Sequence, residues 1–126
     1  MDKAQAIDKF WSLFDVPVYD ENSVPTGDNS PDFPYITYSV ATSNLDSPIP
    51  IYGNIWDRST SWERASKKAD DIAKLVGEHG FYCAEVDGGY LWITLGAPFA
   101  QRMSDENDDM IKRIYINLMI EFLTSY

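Results

Sequence analysis

Few residues in this chain are of the kinds that do chemistry. There is one histidine, His79, and one cysteine, Cys83. A catalytic histidine needs a nucleophile or an orienting acid converging on it. The sequence holds no G-x-S-x-G elbow, and nothing beside Cys83 is basic enough to hold a thiolate. His79, between Glu78 and Gly80, reads better as a helix-end histidine favoured by the macrodipole. Cys83, between Tyr82 and Ala84, reads as a small buried apolar residue. Asp105, Asn107 and Asp109 recur at i, i+2 and i+4, like the opening of a calcium loop. Such a loop needs glycine next and a bidentate acid at its end, where Met110 and Ile116 stand. It reads as a solvated acidic loop, kept extended by its own repulsion. Gly88-Gly89 lacks the lysine and following helix of a phosphate cradle and reads as a hairpin turn. No catalytic residue, cofactor site or metal-ligand set is expected.

Aromatic residues are the stronger signal: six Phe, four Trp and eight Tyr. Tryptophan, tyrosine and arginine anchor protein interfaces. Tyr52, Trp56 and Tyr115 fall on strand faces opposite isoleucines. If helices cover one face of the sheet, these three lie on the other, either exposed for association or covered by a loop.

Composition narrows the classes. The chain has 126 residues, a one-domain length (1–126), and 44% apolar residues, enough for a core. Its 20 acidic and 10 basic residues give a net charge of −10. That opposes sequence-independent nucleic-acid binding and an anionic membrane surface. One cysteine excludes an internal disulfide framework. No apolar run approaches the roughly 20 residues that span a bilayer, and residues 1–5 lack the apolar stretch of a secretory signal.

These residues need elements to position them. Asp2 can cap a first helix in which Ile7, Phe10, Trp11 and Phe14 form one stripe, ended at Asp15-Val16-Pro17. Asp20 to Pro34 reads as a long proline-rich acidic loop. Tyr35–Ala41 and Ile49–Asp57 read as strands joined by a turn over Thr42–Ser47. Pro48 and Pro50 predict that the second begins at an edge. Thr60-Ser61-Trp62-Glu63 is a capping-box pattern, with Thr60 expected to hold the Glu63 amide. Behind it Trp62, Ala65, Ala69, Ile72 and Val76 predict a helix ended at Gly77 or Gly80. Phe81–Val86 and Tyr90–Leu95 predict a hairpin about Asp87-Gly88-Gly89 with a primed turn. Ala97–Asp109 reads as a second irregular loop. Ile114, Ile116, Leu118, Ile120 and Phe122 then alternate with polar and large residues through a last strand. The fold class is α+β: an antiparallel or mixed sheet of about five strands with two helices on one face.

Three stretches together resemble a known family. They are Pro34-Tyr35-Ile36-Thr37-Tyr38, Trp56-Asp57-Arg58-Ser59-Thr60-Ser61-Trp62, and Gly96-Ala97-Pro98-Phe99-Ala100-Gln101-Arg102 with Asp108-Asp109 and Arg113-Ile114-Tyr115. In that order the chain, from about Phe10 to Leu123, resembles tail terminator (tail completion, tail-to-head joining) proteins of bacteriophages and prophages of Gram-positive bacteria. The resemblance implies a compact α+β subunit, made in the host cytoplasm and placed in the virion at the tail end or neck. It implies a ring, commonly a hexamer, meeting the tail tube protein on one side and the head connector or stopper on the other. It implies no enzymatic activity and no cofactor.

The candidate interface drawn from these readings comprises Tyr52, Trp56, Arg58, Phe99, Arg102, Asp105, Asp108, Asp109 and Tyr115. Arg58 and Arg102 are expected to meet acidic groups, within the fold or across subunits, because Arg58 precedes a helix N-terminus. Asp20–Phe33 and Ala97–Asp109 are expected to be mobile in the free subunit and to order on assembly. Two rival roles stand beside this one. The first is another morphogenesis part: a head-tail stopper, a minor capsid component or a tail-tube subunit. The second is a small enzyme or ligand-binding domain, which requires a deep apolar pocket with converging polar groups.

Overall fold

A computed structural model describes residues 2–39 and 49–124. Val40, Ala41 and the turn expected over 42–47 lie outside the described residues. The protein is α+β, with two α-helices and one mixed six-stranded sheet among the described residues.

The first helix, α1 (Lys3–Trp11), starts where the sequence places it. The Gln5 amide donates to Asp2 Oδ1 at 2.8 Å, and the Asp2 amide donates to Gln5 Oε1 at 3.0 Å. Two orphan donors are thereby satisfied. Ile7, Phe10, Trp11 and Phe14 are all buried. A tight turn over Ser12–Phe14 follows, and Asp15 turns the chain out at φ 60°.

Next come β1 (Val18–Asp20) and β2 (Tyr35–Tyr38), which run parallel. The sequence reading begins the loop at Asp20 and misses β1. Three residues are too few to display alternation, and the partner of β1 lies beyond the intervening loop. β3 (Ile49–Arg58) pairs antiparallel with β2 on one side and with β6 (Ile111–Thr124) on the other. The sheet order is β1-β2-β3-β6-β5-β4, so β3 is an internal strand. Pro50 still fits. The Tyr52 amide points toward β2, where it meets Ser39 Oγ at 3.2 Å. Two residues earlier the Pro50 nitrogen points the same way, so the ladder to β6 loses no donor.

After β3, α2 (Glu63–Gly77) packs Ala65, Ala69, Ile72 and Val76 into the core. Ser61 rather than Thr60 accepts the Glu63 amide, at 3.1 Å. Gly80, at φ 86°, ends the excursion beyond the helix. β4 (Tyr82–Val86) and β5 (Gly89–Ser104) form the hairpin. Gly88 takes the positive φ its turn needs, 83°, while Asp87 does not, so the turn is not of the primed kind with two positive residues.

The expected loop over Ala97–Asp109 is the main departure. β5 runs on to Ser104 through an irregularity between Leu95 and Ala100. Leu95 faces Leu118 and Ala100 faces Ile116, so five steps on β5 match two on β6. An odd number of extra residues exchanges the two faces. Arg102 and Ser104 therefore share the side of Ile114, while Gln101 and Met103 share the side of Tyr115 and Arg113.

One hydrophobic cluster unites both helices with the inward residues of the sheet: Ile36, Ile51, Ile55, Leu91, Ile93 and the β6 series Ile114 to Phe122. Asp57 sits on this inner side with no exposure. Its carboxylate accepts the Arg58 amide at 2.9 Å and Arg64 Nε at 3.1 Å, and it forms an ion pair with Arg64. The link ties the end of β3 to the first turn of α2. Removing the arginine strands a buried charge, whereas removing the carboxylate leaves an arginine that can turn to water. Arg64→Ala is therefore expected to lower the urea midpoint more than Asp57→Asn. The reverse order would show that the carboxylate does not depend on its partner.

Candidate functional site

The outer face of the sheet carries the aromatics. Alternation along β3 sends Ile51 and Ile55 inward and Tyr52, Asn54, Trp56 and Arg58 outward. Register then decides which rings meet. Tyr35 lies opposite Trp56, and their rings stack 6.3 Å apart at 15°. Arg113 lies opposite Trp56 on the other side, its guanidinium 5.2 Å from the Trp56 ring. Tyr52 and Tyr115 stack 5.5 Å apart at 21°. Both helices pack on the inner side, and among the described residues no helix covers this face.

Polar anchors hold the rings in place. Trp56 Nε1 donates to Thr37 Oγ1 at 2.9 Å. The Tyr52 hydroxyl donates to Glu21 at 2.8 Å, and the Phe33 ring lies 5.3 Å from Tyr35. The loop after β1 thus reaches this face at two points without closing over it. Asn54 lies between the two stacks, 7% exposed, and its Oδ1 accepts no hydrogen bond. Trp56 and Arg113 also wall a cleft of about 370 Å³, with Met103, Asp105 and Asn107 across from them.

The other expected interface residues divide. Arg58 meets Asp108 at 3.3 Å, an exposed pair of small energetic weight. Arg102 meets no acid among the described residues. Its guanidinium lies 5.0 Å from the Trp62 ring, and it donates to Ser66 Oγ at 3.4 Å. The exchange of faces in β5 turns it toward α2. Phe99 packs against the core and is not part of the outer face. Asp105 Oδ1 accepts the amides of Asn107 (2.8 Å) and Asp108 (3.2 Å), and Asp108 Oδ1 accepts that of Met110 (2.9 Å). The acidic loop is therefore folded into tight turns rather than extended by repulsion. Asp109 is exposed and offers its carbonyl to Lys112 Nζ.

One expectation fails on burial, and one holds. Cys83 is exposed, not buried: it lies on β4, the sheet's edge, opposite Trp92 on the outward side. His79 stands just past the end of α2, exposed, as the helix-end reading expects. Among the described residues no group of three or more His, Cys, Asp or Glu could hold a metal ion. Tyr35 and Arg113 are not in the expected interface, although both fall in the stretches that carry the family resemblance. Their signal was their position in register with Trp56, which only the pairing reveals.

Four tyrosines ionise later in the folded protein than in the unfolded chain. Burial pushes Tyr38 up, helped by its 2.6 Å hydrogen bond to Asp8. Burial also raises Tyr35 and Tyr82, and the bond to Glu21 raises Tyr52. Above pH 10, where unperturbed tyrosine ionises, the unfolded chain loses protons that the folded state keeps. Stability is then fully present below about pH 10 and falls above it. The slope is about 1.4 kcal/mol per pH unit for each proton retained. Tyr38→Phe is expected to flatten this alkaline loss in urea titrations between pH 8 and 11. An unchanged slope would remove Tyr38 as a source.

No known protein-family model matches the chain, and no curated protein sequence matches it.

Proposed function

We propose that this protein is a structural virion component: a tail terminator or completion subunit that rings the head-proximal end of a phage tail and joins it to the head connector. The observation that carries the reading is the outer face, on which no helix packs among the described residues, with its two ring stacks, Tyr35 on Trp56 and Tyr52 on Tyr115. Half-buried tyrosines and a tryptophan with an arginine laid on it are the residues that anchor protein–protein contacts. The ordered stretches resembling the terminator family supply the kind of assembly. The net charge of −10 suits a passage that DNA must cross without sticking, since carboxylates repel phosphates.

The test is mass against concentration, followed by negative-stain imaging. Closed rings are expected at high concentration or on a tail-tube template. In phage, particles lacking the protein are expected to show unjoined heads and tails of abnormal length. Normal, joined particles without it would end this reading.

A further inference from the structure

Arg102 on β5 and Lys112 on β6 share one indole. Arg102 lies 5.0 Å and Lys112 5.7 Å from the Trp62 ring, at the start of α2. Neither reaches a carboxylate among the described residues. Arg102 donates to Ser66, and Lys112 donates to the Asp109 carbonyl. In a chain with two acids for every base, two adjacent cations without an acidic partner form a receiving site for anions. The main chain beside them is open as well. β4 stops opposite Ile93, so Ala100–Ser104 pair with β6 alone.

The matching acids lie elsewhere on the molecule. The segment after β1 carries Asp28 and Asp32, both exposed and neither in an ion pair among the described residues. This segment leaves the sheet's first edge, and β2, β3 and β6 stand between that edge and β5. We infer that the Arg102–Trp62–Lys112 cluster receives the acidic 21–34 segment of a second copy of this chain. The inference rests on the ring reading above and names the two surfaces that meet. Unlike patches on opposite sides of one subunit make a heterologous contact, the kind that closes rings. Asp28 stands in a tight turn over Gly27–Asn29, so the segment meets the cations through its side-chain carboxylates.

Charge exchange tests this. Sedimentation velocity across concentration is compared for the wild type, for R102E/K112E, for D28K/D32K, and for the variant carrying all four changes. Each double reversal is expected to move assembly to about tenfold or higher concentration, because like charges then face each other. The fourfold variant is expected to assemble as the wild type does, which damage to the fold could not produce. Thermal melts confirm that each variant is folded; D28K/D32K alters two exposed side chains. Wild-type-like assembly of either double reversal overturns the proposed contact while leaving the ring reading in place, and so does a folded fourfold variant that fails to assemble. A wild type that stays monomeric at every concentration, with and without a tail-tube template, overturns both.

Discussion

Trp11→Ala is expected to cost about 3–5 kcal/mol of folding stability, the largest loss from any single side chain in α1. Trp11 has no exposure, stacks on Tyr38 with ring centres 6.3 Å apart, and meets Phe10 edge-on at 5.1 Å. Its ring occupies the space that a side chain at position 53 would fill. A Cβ on Gly53 would come within 2.7 Å of Trp11 Cη2. Gly53→Ala should therefore destabilise on its own, by about 1–3 kcal/mol, because a buried ring has nowhere to move. The two sites must then couple. Trp11→Phe trims the ring at the point of collision and removes Nε1, which has no hydrogen-bond partner. In urea unfolding, the Trp11→Phe, Gly53→Ala double variant is expected to lose less than the sum of the singles, by at least about 0.5 kcal/mol. Strict additivity would mean that the indole does not rest on Gly53.

That contact illustrates what a sequence can and cannot disclose. The β6 series from Ile114 to Phe122 and the α2 series from Ala65 to Val76 are legible because their burial follows a local period. Tyr52, Trp56 and Tyr115 are legible as an outward set for the same reason. Gly53, by contrast, reads only as a weak point in a strand, and nothing nearby shows that Trp11 lies over it. The Asp57–Arg64 pair crosses from strand to helix, and no period links the two positions. β1 is invisible because its pattern exists only in its pairing with β2. Cys83 was misjudged because strand sequence does not reveal whether a strand is central or an edge. Phe99 and Arg102 read as loop residues because the irregularity in β5 breaks the alternation around them.

This irregularity matters to function because it decides which residues the inner and outer faces present. Strict alternation from Leu91 and Ile93 would send Gln101 and Met103 inward and Arg102 outward. The extra residues between Leu95 and Ala100 reverse that order. Arg102 then reaches Trp62, and Met103 joins Trp56 and Arg113 on the outer side. One local feature of the backbone thus builds both the cation pair and the wall of the aromatic face.

Gly96→Val is expected to strain it. A Cβ at Gly96 would lie 2.7 Å from the carbonyl oxygen of Asn117 and 2.8 Å from its side-chain nitrogen. Unlike the indole over Gly53, the nearer obstacle is main chain of the central strand β6, fixed by ladders to β3 and β5. The ladder cannot yield without loss of hydrogen bonds, so the cost is expected at the upper end of about 1–3 kcal/mol or beyond it. The chain has one escape, which is to shift the irregular stretch and re-pair Ala100–Ser104 with β6 in another register. A shift by one residue would return Arg102 to the outer face and Met103 to the inner. Two measurements separate the outcomes. Urea unfolding reads the loss of stability. Cross-strand contacts by nuclear magnetic resonance read whether Met103 still faces Arg113. Loss of stability with the native register kept is the expected result, because a shifted Met103 would have to enter an inner side already filled by Ile114 and Ile116. Unchanged stability with unchanged register would mean that Gly96 does not approach Asn117 as closely as described, and the placing of Arg102 would lose its physical cause.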